Sequence, residues 1–385
     1  MTDAIHRVRQ FLLLVAGMLA LCGCVYDYTP RDASLPGLSS PLVVIDGDII
    51  VGGVTRVKVA LTESLFDETL SELPLGTTVM VESESGEVAG ATAVGDEPGI
   101  FEADTRGLDI DGRYRLVVSI PGRGEYISDF APVMVSPPID GITWSFSDDG
   151  SYANVEVTTH NQESEKLYCK WNFVENWESP AVYWPNVDYT PNSYSTLKKL
   201  TPAESEARKY CWSEDVQTEI CIANTEKLSE NLIYKYVLKR IANTDTRAKA
   251  LYAITVTQKA ISKEAYTYWE TLQRNISNIG GIFSALPTEI RGNIASVGNP
   301  EEEVVGYVSV TTTTNIRSFI NWEEYDFYNH GCSVFKIEEN WNQMYYAGYR
   351  PFAVDDTGGT PWWSELRCVD CRSYSNSTKP DFWPR

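Results

Sequence analysis

From Leu42 onward the hydrophobic residues recur in short alternating runs: LVVIDGDI (42–49), TRVKVAL (55–61), TTVMVES (77–83), EVAGATAV (87–94), GIFEAD (99–104), YRLVVSI (114–120) and YISDFAPVMV (126–135). The breaks between them carry Gly, Pro or Asp: Gly52-Gly53, Pro74, Ser85-Gly86, Pro98-Gly99, Asp111-Gly112 and Pro121-Gly122. Period-two runs punctuated in this way, with no helical stretch, predict a β-sandwich of immunoglobulin or transthyretin type over residues 41–136. The DxDG at Asp109–Gly112 has a calcium-loop look but lacks the distal Glu, and reads as a turn before the next strand.

Pro137-Pro138 forbids a continuous ladder or helix and marks a boundary. Beyond it the pattern stays mainly β, and runs at 152–159, 166–174, 217–223, 233–241, 250–259 and 304–313 suit strands. One main α-helix is signalled at 263–278. Ser262 is its N-cap, Glu264 lies in the first turn, and Ala265, Trp269, Leu272 and Ile276 form a stripe at helical spacing. The stripe predicts packing against a sheet, with Gly280-Gly281 as the stop. All 11 Trp lie beyond the proline boundary, so residues 137–385 form a larger, Trp-rich β domain chemically unlike the first.

The chain begins with a targeting pattern. His6, Arg7 and Arg9 precede an apolar run from Phe11 to Leu21, too short to span a bilayer. It ends in Leu21-Cys22-Gly23-Cys24, which looks like a lipobox: residues 1–23 are a signal peptide and Cys24 is the lipidation site. A diacylglycerol thioether plus an N-acyl chain meets the need of stable anchoring for more than one chain. An ordinary secretory cleavage is the alternative. Residues 24–40, polar and rich in Pro, Gly and Ser, read as a flexible tether.

Charge narrows the partners. With 53 acidic and 32 basic side chains the net charge is −21. Loss of Asp3, Arg7 and Arg9 with the leader leaves 52 against 30, or −22. Such an excess argues against nucleic acid, which needs clustered Lys and Arg, and against electrostatic attachment to anionic headgroups. A hydrophobic fraction of 43% is ample for a core.

Six cysteines follow Cys24: Cys169, Cys211, Cys221, Cys332, Cys368 and Cys371. An even count in an exported chain reads as disulfides, with 15 possible connectivities for six. Cys211 and Cys221 flank a short acidic segment and make the best single pairing, a local hairpin bridge. Cys368-x-x-Cys371, with His330 and Cys332 upstream, leaves a zinc site or a redox pair as alternatives. No cofactor is implied. No G-x-S-x-G elbow, P-loop or HExxH occurs, and the only His past the leader, His160 and His330, have no motif around them. Glu301–Glu303, Glu323-Glu324 and Asp355-Asp356 read as solvated loops among many acids. No catalytic residue is assigned, and the expectation is a non-enzyme.

Two segments are too irregular for buried strands and too aromatic for ordinary loops. One spans 177–194, with Trp177, Tyr183, Trp184, Tyr189 and Tyr194; the other spans 341–363, with Trp341, Tyr345, Tyr346, Trp362 and Trp363. Large amphipathic rings on loops supply interface anchors or stack ligands. Folding back over the sheet as a satellite core is the structural alternative.

Taken in order, several pieces resemble the Bacteroidota lipoproteins grouped as domain of unknown function 4249. They are Cys24, the opening strand through Asp46-Gly47, Pro137-Pro138-Ile139-Asp140, Cys211-Trp212, and Glu226-Lys-Leu-Ser-Glu230. Then come Ser262-Lys-Glu-Ala-Tyr-x-Tyr-Trp269, Gly292-Asn-Ile294, Asn299-Pro-Glu301, Gly306-Tyr307, and a tail from Cys368-x-Asp-Cys-Arg372 to Lys379-Pro-Asp-Phe-Trp383. The resemblance implies an outer-membrane lipoprotein, facing the periplasm or the cell surface, that partners a TonB-dependent β-barrel receptor in nutrient capture. It brings no catalytic residues. A carbohydrate- or peptide-binding lipoprotein or surface hydrolase, and a structural envelope or adhesion protein, are the competing readings.

Overall fold

A computed structural model describes residues 41–62, 72–162, 165–191, 196–278, 291–354, 359–376 and 378–384. The leader, Cys24 and the rest of the tether, Tyr194, the Gly280-Gly281 stop and Asp355-Asp356 lie outside the described residues. The protein is mainly β.

Each run of the opening pattern becomes a strand: β1 (Val43–Asp46) with the short β2 (Ile49–Ile50), β3 (Val54–Leu61), β4 (Thr78–Ser83), β5 (Val88–Ala93), β6 (Ile100–Asp104), β7 (Arg113–Ile120), β8 (Gly124–Ser128) and β9 (Ala131–Pro132). Alternation decides which side faces in. In β3, Thr55, Val57 and Val59 are buried while Arg56 and Lys58 face water. Outward Arg56 meets Glu102 directly across the β3–β6 ladder at 2.9 Å. Strand β5 pairs with both β4 and β6 and so carries the sheet from one layer to the other. Val57, Val79, Leu116, Val118 and Tyr126 fill the space between the layers. At the start of β7 the Tyr114 hydroxyl donates to the Asp109 carbonyl at 2.8 Å, the tyrosine-corner contact of Greek-key sandwiches. The DxDG is thus a turn closed by this tyrosine.

The second half supplies β10 (Ile139–Phe146), β11 (Tyr152–His160), β12 (Tyr168–Glu178), β13 (Val187–Asp188), β14 (Lys198–Lys199), β15 (Trp212–Val216), β16 (Cys221–Asn224), β17 (Leu232–Ala242) and β18 (Leu251–Ala260). Strands β19 (Ile294–Ser296), β20 (Val304–Val305), β21 (Val310–Thr311), β22 (Thr313–Asn321), β23 (Phe335–Lys336), β24 (Tyr349–Val354) and β25 (Pro361–Glu365) follow. A sheet ordered β10-β11-β17 packs on one ordered β15-β12-β18-β22, with β16 continuing β15 along the β12 edge. This is an immunoglobulin-like arrangement of three strands on four. Trp171, Phe173, Tyr252, Ile254 and Trp322 dominate the core between them.

Two expected strands divide. The 217–223 run breaks where Gln217 bonds Phe173 in both directions, its backbone N–H to the Phe173 carbonyl and its side-chain oxygen from the Phe173 N–H. The 304–313 run splits into β20, β21 and the start of β22, because Gly306 turns the chain at φ +141 against the Ile45 carbonyl, where no Cβ fits. Helices α1 (Pro202–Lys209), α2 (Lys263–Asn278), α3 (Trp341–Tyr346) and α4 (Leu366–Val369), with short 3₁₀ turns at Thr246–Ala248, Trp322–Tyr325 and Cys371–Ser373, complete the described elements. In α2 the Ser262 hydroxyl caps the Ala265 N–H at 3.1 Å, as expected. The apolar stripe is shorter than predicted. Ala265 and Tyr268 are buried while Ile276 is 56% exposed, because only the first turns meet Tyr168 and Tyr307.

The chain crosses between the sandwiches more than once. After most of the second is built, residues 293–311 return to the first: β19 pairs with β8, β20 with β1, and β21 with β2. The Asn293 side chain grips Val308 like a strand partner, donating to its carbonyl and accepting from its N–H, each at 2.8 Å. The chain then enters β22 of the second sandwich. At this crossing Asp48, 4% exposed, accepts from Lys259 of β18 at 2.8 Å and from the Ser309 N–H, with Lys170 of β12 at 4.0 Å. Burial pushes the Asp48 carboxyl up, but Lys259 and Lys170 outweigh it and hold the group at about 2.

Removing one partner of a buried pair leaves uncompensated charge, so Asp48→Asn should cost about 3–5 kcal/mol in denaturant unfolding. A depressed carboxyl gives stability that is complete above its ordinary value of 3.8 and is lost as pH falls through about 2. Unfolding free energy should therefore drop more steeply between those values in the parent chain than in Asp48→Asn. Parallel pH slopes would contradict the role given to Asp48.

Candidate functional site

Both aromatic segments are excursions from the second sandwich. One leaves the end of β12 and returns at β15; the other follows β22. They meet each other. The Asn186 N–H donates to the Phe352 carbonyl at 2.7 Å and the Tyr183 N–H to the Cys368 carbonyl at 2.9 Å. Strands β13 and β14 pair within the first excursion, and β23, β25 and β24 form a small sheet in the second. Helix α1 is fixed by Pro202 in its first turn and by a capping box: Thr201 takes the Glu204 N–H, and Glu204 takes the Thr201 N–H.

Disulfides Cys211–Cys371 and Cys332–Cys368, with Cα–Cα distances of 5.8 and 6.2 Å, staple this module. The expected Cys211–Cys221 hairpin bridge is not formed. Cys221, on β16, points into the second core beside Leu238, whereas Cys211 closes the first excursion against Ala181 and Cys371. Nor does the CxxC pair act as a unit, since Cys368 and Cys371 bond to different partners. Cys332, Glu365 and Cys368 have ligand atoms within 4.8 Å of one another. With both sulfurs in a disulfide, no thiolate is there to hold zinc. Cys169 and Cys221 are buried free thiols. Burial raises both, Cys221 to about 11 with help from Glu219.

The predicted aromatic residues divide into three groups. Trp177, Tyr189 and Trp363 are buried. Trp177 packs in the sandwich core with Arg247 over its ring, and Tyr189 sits edge-on to Trp341, Tyr345 and Trp363. Tyr183, Trp341, Tyr345 and Trp362 are half-buried; Tyr183 stacks on Phe352 at 4.7 Å and Lys336 lies over Trp362. Trp184 and Tyr346 are exposed, at 40% and 73%. The module therefore has a real aromatic core with a few rings left outside. Tyr210, not singled out from sequence, is also exposed and sets its ring edge-on to Trp184 at 5.9 Å.

A hollow of about 520 Å³ opens where Tyr189 and Trp341 meet Glu338, Glu339, Asn340, Asn342 and Gln343. The Tyr189 hydroxyl donates to Asn342 at 2.6 Å and fixes the ring there. A second hollow, about 530 Å³, lies at one end of the sandwich between Phe146, Tyr325, Phe327, Tyr328 and His330. Of these only His330 was singled out from sequence; Phe146 ends an ordinary strand and Tyr325 sits in an acidic stretch, so neither stood out. Between module and sandwich, Lys249 donates to the Tyr374 hydroxyl at 2.6 Å. Burial, with Arg367 and Lys209 nearby, brings its ammonium down to about 7. His160 pairs with Asp140 on a neighbouring strand. Glu323 and Glu324 lie in a 3₁₀ turn.

The family model described as Domain of unknown function (DUF4249) matches residues 28–317. The chain belongs to that family. The match ends before the second excursion, so Cys332, Cys368, Cys371 and the tail through Trp383 lie beyond it. No curated protein matches. Among solved structures, chicken CNTN1 FN1-FN3 domains are similar at 10% identity over 57% of this chain and 62% of that one, with a TM-score of 0.18. Trypsin-activated alpha-2-macroglobulin from Escherichia coli is similar at 7% identity over 85% of this chain and 19% of that one, with a TM-score of 0.19. The chain thus spans less than two thirds of either, and likenesses this slight say nothing of activity.

Thiol mapping checks the stapled module. Without reductant, peptides of Cys211 with Cys371 and of Cys332 with Cys368 should travel together in mass spectrometry. Cys169 and Cys221 should resist maleimide in the folded protein and react once it is unfolded. Rapid native labelling of Cys221, or a Cys211–Cys221 peptide, would refute the arrangement.

Proposed function

We propose that the protein is a lipid-anchored, non-enzymatic accessory protein of the outer membrane in a member of the Bacteroidota. In this reading Cys24 carries the lipid, the tether lifts the body off the bilayer, and the aromatic module meets a TonB-dependent β-barrel transporter during nutrient capture. The observation that carries it is the stapled module itself. Its disulfides belong to an oxidising compartment. They hold Trp184, Tyr210 and Tyr346 outward on an otherwise packed aromatic unit. Preorganised Trp and Tyr are the side chains that anchor interfaces at low entropic cost.

A carbohydrate- or peptide-binding role is favoured by one feature, the hollow where Trp341 and Tyr189 stand among amides and carboxylates. Rings beside such groups suit a saccharide, which stacks its apolar face and hydrogen-bonds its rim.

Mild crosslinking in cells followed by detergent extraction should bring down a β-barrel protein with the parent chain. The yield should fall about tenfold or more for the double variant Trp184→Ala with Tyr346→Ala, as for loss of a paired hot spot. Cys24→Ser should release the protein from the membrane fraction. Recovery of the parent chain as a lone monomer would defeat the transporter reading. The saccharide reading instead expects oligosaccharide to change tryptophan fluorescence, with affinity about three- to tenfold weaker in Trp341→Ala.

A further inference from the structure

The two sandwiches enclose a cleft of about 640 Å³, a volume suited to a small solute. One wall is the β1–β3 region, with Asp46, Asp48 and Lys58; the other is β12 and β18, with Lys170, Asn172 and Lys259. Lys170 is only 9% exposed. Its ammonium rests on the Trp269 ring at 3.4 Å from the centroid and stands 4.0 Å from Asp48. That is too far for a hydrogen bond. Among the described residues no acceptor lies within hydrogen-bond distance of its three N–H donors. Lys259 differs, since it donates to Asp48 at 2.8 Å.

The side chains that line the cleft carry more positive than negative charge, unlike the molecule as a whole. Four cations, Arg56, Lys58, Lys170 and Lys259, line it against two carboxylates, Asp46 and Asp48. Arg56 is held by Glu97 and Glu102, and Lys259 is matched by Asp48. Lys170 and Lys58 are then the cleft cations with no hydrogen-bonded carboxylate, inside a chain of net −21. A cleft with low-dielectric walls focuses such a field on a small ion.

We propose that this cleft binds a small anionic solute, whose carboxylate or phosphate oxygens take the donors of the Lys170 ammonium, with Lys58 at the rim and Asn172 as a polar neighbour. The indole of Trp269 fixes the ammonium from behind, so it is preorganised and loses little freedom on binding. Burial lowers the Lys170 ammonium, and an incoming anion offsets that desolvation. The site is independent of any transporter contact through the aromatic module.

Titration calorimetry and thermal unfolding of the purified full chain test it, with inorganic phosphate and succinate as separate probes and sodium chloride at matched ionic strength as control. Saturable binding of one probe is expected, and the probe that binds tells phosphate from carboxylate. Lys170→Met should weaken it about tenfold or more, in line with a charge-assisted hydrogen bond. Lys58→Glu, on the exposed rim, should weaken it several-fold with an unchanged melting temperature, and decides the matter if Lys170→Met fails to fold. No saturable response to either probe, a response that chloride reproduces, or undiminished binding in Lys58→Glu and any folded Lys170→Met would overturn the proposal.

Discussion

The architecture depends on the return of the chain through residues 293–311 and on the buried carboxylate that receives it. Without β19, β20 and β21 the first sandwich would expose two open edges; without the step into β22 the second would lose an edge strand of its larger sheet. Asp48 stands where these paths cross, bonded to the Ser309 N–H of the returning segment and to Lys259 of the second sandwich. The linker is tied in beside it. Gln258 donates to the Pro137 carbonyl at 2.8 Å and accepts from the Trp171 indole at 2.9 Å, so one buried amide joins the boundary to the core. Neither sandwich can open fully without disturbing the other, which makes residues 42–385 one compact unit.

A polar crossing of this kind is an expensive way to join two layers, because desolvating a carboxylate and two ammonium groups costs much of what their attraction returns. An apolar contact of equal area would serve stability as well. What the charged crossing adds is geometry: Asp48 satisfies Lys259 and leaves Lys170 poised over Trp269 at the cleft. The module at the other excursions is held by different means. It combines a modest aromatic core with covalent closure, and bridging segments 160 and 36 residues apart restricts the unfolded chain by about 4–5 kcal/mol each in the entropic account.

Local order was legible where it rests on neighbours in sequence. The strands of the seven opening runs follow from alternation and turn residues, and the start of α2 and its Ser262 cap follow from periodicity and capping chemistry. Pairings between distant segments were not legible. A short acidic loop made Cys211–Cys221 look natural, yet the choice was set by which face of β16 turns inward, a fact fixed only once β17 packs over it. The splitting of 304–313 had the same source, since Gly306 turns there to clear the Ile45 carbonyl far away in sequence. For the aromatic segments, composition located the module but could not rank its rings. Trp363 and Tyr346 have equal standing in the sequence, and one is fully buried while the other is largely exposed.

Lys170 left a signal that a composition-led reading passes over. In Tyr168-Cys-Lys-Trp-Asn-Phe173 the strand buries nearly every residue, and a lysine in such a run must find a counter-charge, an aromatic face or a ligand. Lys259 poses the same question on the adjoining strand, where Lys170 and Lys259 stand directly opposite in the ladder. Two like charges facing each other across paired strands repel unless an anion lies between them. Asp48 supplies one carboxylate to the pair, hydrogen-bonded to Lys259 and 4.0 Å from Lys170. The positive charge left at Lys170 is where a chain of strong negative charge can attract an anion, and sequence-wide counting conceals it because the net value averages over the surface.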